Sequence, residues 1–255
     1  MLFRLPGLAP LVRQTYEAAA DFASVRDLPW QYETPAQEFP AAAAFARRID
    51  LRDFAFDPAF RGVAMIDFFL RALGLDPAAV PPELRRNAWL AQHLRPQPPA
   101  GLAPGYVLVC PRTSMALRDM PDQIHTAIVA ALHAAGRRVV TQGAAPPGAI
   151  AAASCATLAE LAGLVAGAAC VVSADTAMPH LADAFGVPCL AFFTTHRPDW
   201  RVRDYQLCRA IHLETALPEA LEFARSPDDA ATARAAWFPD GDDLTWVERA
   251  VTGFA

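Results

Sequence analysis

The segment "SADTAMPHLADAFGVPCLAFF", from Ser173 to Phe193, predicts the end of one strand, a helix and a second strand. The helix is predicted at 178–185, between apolar runs that end at Ala174 and Phe193. Pro179 suits the first turn of such a helix, because the backbone N–H that proline lacks has no partner there. Apolar strands separated by helices are typical of parallel sheets, which are buried on both faces.

The same alternation extends upstream of this segment. Thr157 and Glu160 form a capping-box pattern that predicts where one helix begins, and Gly136 is predicted to end another. Together these elements predict an α/β fold with a doubly wound parallel sheet. The strands are predicted at 106–110, 137–143, 170–174 and 189–193, and the upstream helices at 120–136 and 157–168.

A stretch rich in Pro and Gly, "QHLRPQPPAGLAPG" at 92–105, has neither a helical nor a strand period and predicts a linker or long loop. We therefore expect a reduced, mainly helical N-terminal domain at 1–100 and a Rossmann-like domain at 101–255. The N-terminal part has no convincing series of buried strands. Its helical patterns are at 9–23 and 64–75, with a mixed pattern at 41–56.

The C-terminal segment begins with a helix-like pattern at 216–225 and ends with an amphipathic helix at 244–254. We expect Trp246, Val247 and Val251 to dock this last helix on the body of the protein. We also expect the helix to return to the N-terminal part.

The composition excludes several classes of protein. The chain is 54% hydrophobic and 19% charged with a net charge of −5, which predicts a sizeable core and argues against binding nucleic acid through a basic surface. No apolar run reaches the roughly 18 residues of a membrane span, and Pro6 and Pro10 interrupt what would be a signal peptide. The five cysteines are widely spaced, so neither a disulfide framework nor a metal site is predicted. We expect a cytoplasmic location.

The start of the helix at 178–185 suits an anion. Asp175 and Thr176 fall at the carboxyl end of a predicted strand, where ligands bind in open parallel sheets. The free N–H groups and the helix dipole favour a phosphate there, and His180 lies one turn further along. In the alternative interpretation Asp175 or Thr176 only caps the helix, and His180 is bonded structurally.

The segment 173–193 resembles the signature of glycosyltransferase family 9, the lipopolysaccharide heptosyltransferases. The residues that match are Asp175, Thr176, His180, Leu181, Ala182, Ala184, Gly186 and Pro188. Upstream, "CPRTSMALRDMP" at 110–121 resembles the strand-end loop of the family, in which a lysine is followed two residues later by Trp-Pro. Arg118, Met120 and Pro121 occupy those places, and the chain has no lysine anywhere. The resemblance covers about residues 104–205.

This resemblance implies a GT-B-like architecture whose C-terminal domain binds a nucleotide-sugar such as ADP-heptose, as a substrate and without a cofactor or metal. It implies inverting transfer of a heptose-like sugar to lipopolysaccharide or another glycan, and it leaves peripheral membrane contact open. Arg118 would clamp the diphosphate. The candidate donor-binding residues are Thr113, Ser114, Arg118, Asp175, Thr176, Ala177 and His180.

For Thr113 and Ser114, and for the basic loop at 195–205, a purely structural role is the alternative to ligand binding. Thr113 and Ser114 either bond phosphate oxygens or close a turn. The basic loop at 195–205 adds His196, Arg197 and Arg201 as candidate anion-binding residues. Alternatively, its arginines pair with the acids of the same loop, Asp199 and Asp204.

The sequence departs from the family pattern at three places, and the third leaves the catalytic residue unknown. Ala177 replaces a glycine, and Phe193, Thr194 and Thr195 replace an aromatic-Gly-Pro/Ser sequence. Ala9 and Pro10 stand where the general-base acid is expected. The chain is therefore either a glycosyltransferase, or a catalytically silent relative that binds nucleotide-sugar as a sensor or partner subunit. A different nucleotide-binding enzyme is disfavoured, since no Gly-x-Gly-x-x-Gly or P-loop is present. The N-terminal carboxylates that could serve as the base are Asp21, Asp27, Asp50, Asp53 and Asp57.

Overall fold

The computed structural model describes residues 49, 54, 57–60, 62–218, 221 and 224–255. The helix predicted at 9–23 and most of the mixed pattern at 41–56 lie outside the described residues.

Six parallel strands form one sheet in the order β3-β2-β1-β4-β5-β6. The chain runs outward from β1 to β3 and then returns to place β4 on the other side of β1. This is the Rossmann strand order, so the prediction of an α/β fold with a Rossmann-like parallel sheet on the C-terminal side is confirmed. The strands are β1 (Tyr106–Cys110), β2 (Val139–Thr141), β3 (Ala149–Ala151), β4 (Ala168–Ala174), β5 (Cys189–Phe193) and β6 (Cys208–His212).

Helices cover both faces of the sheet and connect its strands, except that β2 and β3 are joined by the loop at 142–148. The capping box of Thr157 and Glu160 is present, and Gly136, at φ 74°, follows the helix that it was predicted to end. Four 3-10 turns are described besides the α-helices: Pro58–Phe60, Pro77–Ala79, Pro82–Arg85 and Ala116–Arg118. The α-helices are α1 (Met65–Ala72), α2 (Ala88–His93), α3 (Asp122–Ala134), α4 (Leu158–Ala166), α5 (Met178–Phe185), α6 (Pro198–Arg201), α7 (Pro227–Ala235) and α8 (Thr245–Thr252).

The sheet separates two hydrophobic cores. Every residue of β1 and β5 is buried, as apolar strands of a parallel sheet require. Tyr106 and Leu108 of β1 pack on the side of α4 and α5, whereas Val107 and Val109 pack on the side of α3 and α8. The period of two along β1 therefore supplies both cores with side chains.

The last helix, α8, docks on the body as predicted. Val247 and Val251 are fully buried against the core on the α3 side, and the Trp246 ring lies 6.0 Å from that of Phe192. The contact of α8 with the N-terminal part stays a prediction.

The predicted linker packs closely on the sheet domain. After α2, residues 94–105 contain neither helix nor strand, and the Gln97 N–H donates to the Ala159 carbonyl at 2.8 Å. At Gly163 of α4, a Cβ atom would lie 1.8 Å from the carbonyl oxygen of Gln97. Glycine is therefore required at 163 for this stretch to cross α4.

The helix predicted at 216–225 is not seen. Residues 216–218, 221, 224 and 225 are described and belong to no helix, while the other four lie outside the described residues. The helix of this region is α7, which begins at Pro227 with Ser226 as its N-cap.

Candidate functional site

Three loops at the carboxyl edge of the sheet carry the candidate residues. They follow β1, β4 and β5, which are neighbours in the sheet. The order of the strands reverses between β1 and β4, and ligands of open α/β sheets bind in the crevice beyond such a switch point. The topology alone therefore brings Arg118, Asp175 and His196 to the same place.

Asp175 joins the three loops. Its Oδ2 atom accepts a hydrogen bond from Nη1 of Arg118 at 3.0 Å and another from Nδ1 of His196 at 2.9 Å. Burial alone would raise the pKa of Asp175, but the hydrogen bond from His196 and the positive charges of Arg118 and Arg201 hold that pKa well below its usual range. Asp175 is therefore a buried, permanently ionised anchor for two cationic or polar side chains.

Arg118 ends a 3-10 turn and has only 12% of its side chain exposed. Besides its bond to Asp175, its Nη2 atom lies 3.5 Å from the hydroxyl of Ser114. The Nε atom is buried and has no hydrogen-bond partner among the described residues. A buried N–H without a partner costs free energy, so this guanidinium can gain stability by donating Nε–H to an anionic ligand.

The start of α5 differs in part from the expectation. Thr176 does hold the first turn, since its Oγ1 atom accepts the N–H of Met178 at 2.9 Å. Asp175 does not cap the helix, because its carboxylate binds Arg118 and His196; the N-cap position itself is Ala177. Ala177 has an ordinary φ of −71°, so alanine in place of the glycine of the family causes no backbone strain.

His180 lies in the first turn of α5 and bonds Tyr205. Its Nδ1 atom is 2.6 Å from the Tyr205 hydroxyl, and the two rings meet edge to face at 5.6 Å. Burial lowers the pKa of His180 to about 4, with Arg201 acting in the same direction and Asp175 and Asp183 opposing it. His180 is therefore neutral at pH 7.

Thr113 closes a turn, which is one of the two interpretations of its sequence. Its backbone N–H donates to Asp119 at 2.7 Å, and its hydroxyl bonds both the N–H and the carbonyl of Met115. Ser114 is placed differently, because its hydroxyl faces the guanidinium of Arg118. Of these two residues, Ser114 is the better placed for a ligand.

The basic loop after β5 is held largely by acids and by α1. Arg197 pairs with Asp199 at 3.1 Å, and Nη1 of Arg201 lies 3.0 Å from the sulfur of Met65. Arg203 bonds both oxygens of Asp67 at 2.8 and 2.9 Å, and this hydrogen bonding lowers the pKa of Asp67. Within the loop, it is His196 that joins the Asp175 cluster.

Sequence reasoning missed several residues at this edge. Thr194 and Thr195 were noted only as departures, yet both are 3% exposed, and their hydroxyls have no hydrogen-bond partner among the described residues. Two polar residues directly after a buried strand were the available signal. Tyr205 and Asn87, which bond each other at 2.6 Å, gave no sequence signal, since they are distant along the chain.

The described residues show neither a metal-binding cluster nor a membrane-spanning helix. They contain no group of three or more His, Cys, Asp or Glu side chains that could hold a metal ion. No helix among them is long and apolar enough to cross a membrane.

A protein-family model, that of glycosyltransferase family 9 (heptosyltransferase), matches residues 63–213, which is more than half of the chain. The matched range includes all three loops of the site. Among curated proteins, none matches the chain.

Several solved structures, including the following three, are similar to the chain at low sequence identity. E. coli heptosyltransferase WaaC with ADP is 20% identical with a TM-score of 0.41, over 61% of this chain and 50% of WaaC. The iron-containing dodecameric glycosyltransferase TibC of enterotoxigenic E. coli is 18% identical with a TM-score of 0.47, over 76% of this chain and 54% of TibC. A family 9 glycosyltransferase of Veillonella parvula is 17% identical with a TM-score of 0.35, over 45% of this chain and 37% of that one. The match spans about half the length of WaaC and of TibC.

Proposed function

The chain belongs to glycosyltransferase family 9, the heptosyltransferases, and we propose that the carboxyl edge of its sheet binds a nucleotide-sugar donor of the ADP-heptose kind. In this proposal the sugar is transferred, with inversion, to lipopolysaccharide or another glycan acceptor. In this proposal the domain at 101–255 holds the donor, and the N-terminal part at 1–100 is assigned to the acceptor side of a GT-B-like cleft.

The observation that carries the proposal is the cluster of Arg118, Asp175 and His196 at the strand switch point. When the bond between the anomeric carbon and the diphosphate breaks, negative charge grows on the leaving oxygens. Donors that are already held in place stabilise that charge without reorganising during the reaction. Asp175 holds Arg118 in this way, and the guanidinium keeps an unsatisfied Nε–H.

The other candidates supply neutral hydrogen bonds around this cation. Ser114 lies beside Arg118, and the buried hydroxyls of Thr194 and Thr195 lack partners among the described residues. Hydroxyls can donate to phosphate oxygens or accept from sugar hydroxyls, so they suit a ligand that carries both. The start of α5 adds the positive end of its dipole.

Transfer also requires a base that removes the proton of the acceptor hydroxyl as its oxygen attacks the anomeric carbon. Asp175 is unsuited to this role, because its lowered pKa and its bonds to Arg118 and His196 leave it a poor proton acceptor. Asp57 is exposed and accepts the N–H of Ala59 at 2.8 Å, as a turn-closing residue does. Asp21, Asp27, Asp50 and Asp53 lie outside the described residues.

A second candidate function follows from the sequence, in which Ala9 and Pro10 stand where the general-base acid is expected. A relative that binds nucleotide-sugar without transferring it would need the Arg118 cluster and no base. It would act as a sensor or as the partner subunit of another transferase.

A nucleotide screen tests the proposal and separates the two functions. At a hundredfold excess over its dissociation constant, a bound nucleotide raises the free energy of unfolding by about 2.7 kcal/mol, which a thermal-shift assay detects. We expect such a shift with one of ADP, UDP, GDP or CMP, and turnover of the matching nucleotide-sugar if the chain is a transferase. Binding without turnover would favour the silent relative. Failure of every nucleotide at millimolar concentration would contradict both.

A further inference from the structure

A chain of hydrogen bonds leads from the segment before α2 to the imidazole of His180. The Nδ2 atom of Asn87 lies 2.6 Å from the Tyr205 hydroxyl, which in turn lies 2.6 Å from Nδ1 of His180. Asp183, one turn further along α5, anchors the other end. Its carboxylate accepts the backbone N–H of Asn87 at 2.8 Å and Nε of Arg86 at 2.8 Å.

Asp183 decides how the amide of Asn87 is oriented. The Oδ2 atom of Asp183 lies 3.5 Å from the amide group of Asn87, and an ionised carboxylate can only accept hydrogen bonds. The NH₂ group, with two hydrogens, must therefore face Asp183 and Tyr205, since the amide oxygen would be repelled by the carboxylate. Asn87 is thus the donor to the Tyr205 oxygen.

Because Tyr205 accepts from Asn87, its hydroxyl is free to donate its hydrogen to His180. Burial is the main cause that raises the pKa of Tyr205 well above its usual value, so its hydroxyl keeps its single hydrogen. The oxygen already accepts from Asn87, and the hydrogen can satisfy Nδ1 of His180. If Nδ1–H instead donated to this oxygen, the hydroxyl hydrogen would lose that partner.

We propose that Tyr205 and Asn87 are positioning residues that hold His180 in the neutral Nε2–H tautomer. The hydrogen bond between the Tyr205 hydroxyl and Nδ1 leaves the single ring proton on Nε2, and His180 lies in the first turn of α5, five residues after Asp175. The ring thereby presents an N–H donor near the Asp175 cluster. An Nε2–H cannot accept a proton, so His180 acts as a hydrogen-bond donor to an anionic ligand and not as the general base.

The tautomer of His180 does not depend on the proposed function. The role of Nε2–H as a donor to a nucleotide does rest on the proposed function. The experiment therefore has a spectroscopic arm without ligand and a binding arm with ADP. Long-range ¹H–¹⁵N correlation spectra of histidine-labelled protein distinguish the two tautomers, and the His180→Gln variant identifies the signals. The variants are Tyr205→Phe, which removes one oxygen, and Asn87→Ala, which keeps the backbone N–H that Asp183 accepts.

Tyr106→Phe is the matched control. Its hydroxyl is also buried, but it donates to the Leu164 carbonyl at 2.6 Å on the α4 side of the sheet. We expect the Nε2–H pattern at pH 7 in wild type and in this control, and a mixture of tautomers in Tyr205→Phe and Asn87→Ala. An Nδ1–H pattern in wild type would overturn the proposal, as would an unchanged pattern in both variants.

The binding arm measures the dissociation constant for ADP. Loss of one oriented neutral hydrogen bond should weaken ADP binding in Tyr205→Phe by roughly three- to tenfold, with Tyr106→Phe unchanged. A changed tautomer with unchanged ADP affinity would overturn the ligand role of Nε2–H. If wild type binds no nucleotide at all, the proposed function fails, and the spectra still decide the tautomer.

Discussion

The carboxylate of Asp175 accepts the Nδ1–H of His196 at 2.9 Å, and neither side chain has more than 7% of its surface exposed. Asp175 lies at the end of β4 and His196 follows β5, so this bond ties together two neighbouring loops at the carboxyl edge. Because the same oxygen also receives Arg118, the three side chains form one unit.

Replacing Asp175 with alanine should destabilise the protein far more than loss of a helix cap would. Removing one partner of a buried ion pair costs about 3–5 kcal/mol, because Arg118 keeps a charge with no counterion. Thr176→Val is the control, since the Thr176 hydroxyl accepts the N–H of Met178 at the start of α5, and losing one such hydrogen bond costs about 1 kcal/mol. Urea unfolding measures both. Equal losses near 1 kcal/mol would show that Asp175 has no such anchoring role.

His180 should make stability depend on pH between about 4 and 6.5, the lowered and ordinary values of its pKa. In this range the unfolded chain binds a proton at His180 and the folded protein does not. The free energy of unfolding therefore falls as the pH is lowered from 6.5 toward 4, and this contribution is fully present above 6.5. His180→Gln should show a shallower fall than wild type in urea titrations across this range. Parallel curves for the two proteins would contradict the lowered pKa.

Thr195→Val should separate ligand binding from stability. Valine has the shape of threonine without the hydroxyl, and that hydroxyl is buried without a partner among the described residues. Removing an unsatisfied polar group leaves stability unchanged or raises it by about 1 kcal/mol, whereas a hydroxyl that bonds the nucleotide-sugar is lost. The same holds for Thr194→Val. Lower stability with unchanged nucleotide affinity would show that the hydroxyls are structural.

The sequence predicted the central strands and most helices because their signals are local. β1 and β5 are buried along their whole length and therefore read as unbroken apolar runs, and Thr157 and Glu160 lie three residues apart. The strands β3 and β6 were missed because they are edge strands without a fully buried residue, so they lack that unbroken apolar pattern.

The candidate site was predictable as a list of residues and not as a set of bonds. The position of Asp175 before α5 made it a reasonable candidate for the helix cap. Its partners Arg118 and His196 lie 57 and 21 residues away, so no local pattern predicts them. A buried carboxylate needs such charged or polar partners, because it has lost its contact with water. The bond of Asn87 to Tyr205 spans 118 residues and has no sequence signature. Only the order of the strands brings such residues together.

We expect Arg118, held by Asp175, to bind the diphosphate of a nucleotide-sugar, and calorimetry with the Arg118→Ala variant measures this contribution. Arg112→Ala is the matched control, because Arg112 lies in the same loop and pairs with Asp119 and Asp122 but is 51% exposed. The ligand is the nucleoside diphosphate that stabilises wild type most in the screen. The account predicts that Arg118→Ala weakens binding by roughly tenfold or more, as expected for the loss of a charge-assisted hydrogen bond, while Arg112→Ala binds as wild type does. Equal affinity in the two variants, with both folded, would contradict the account.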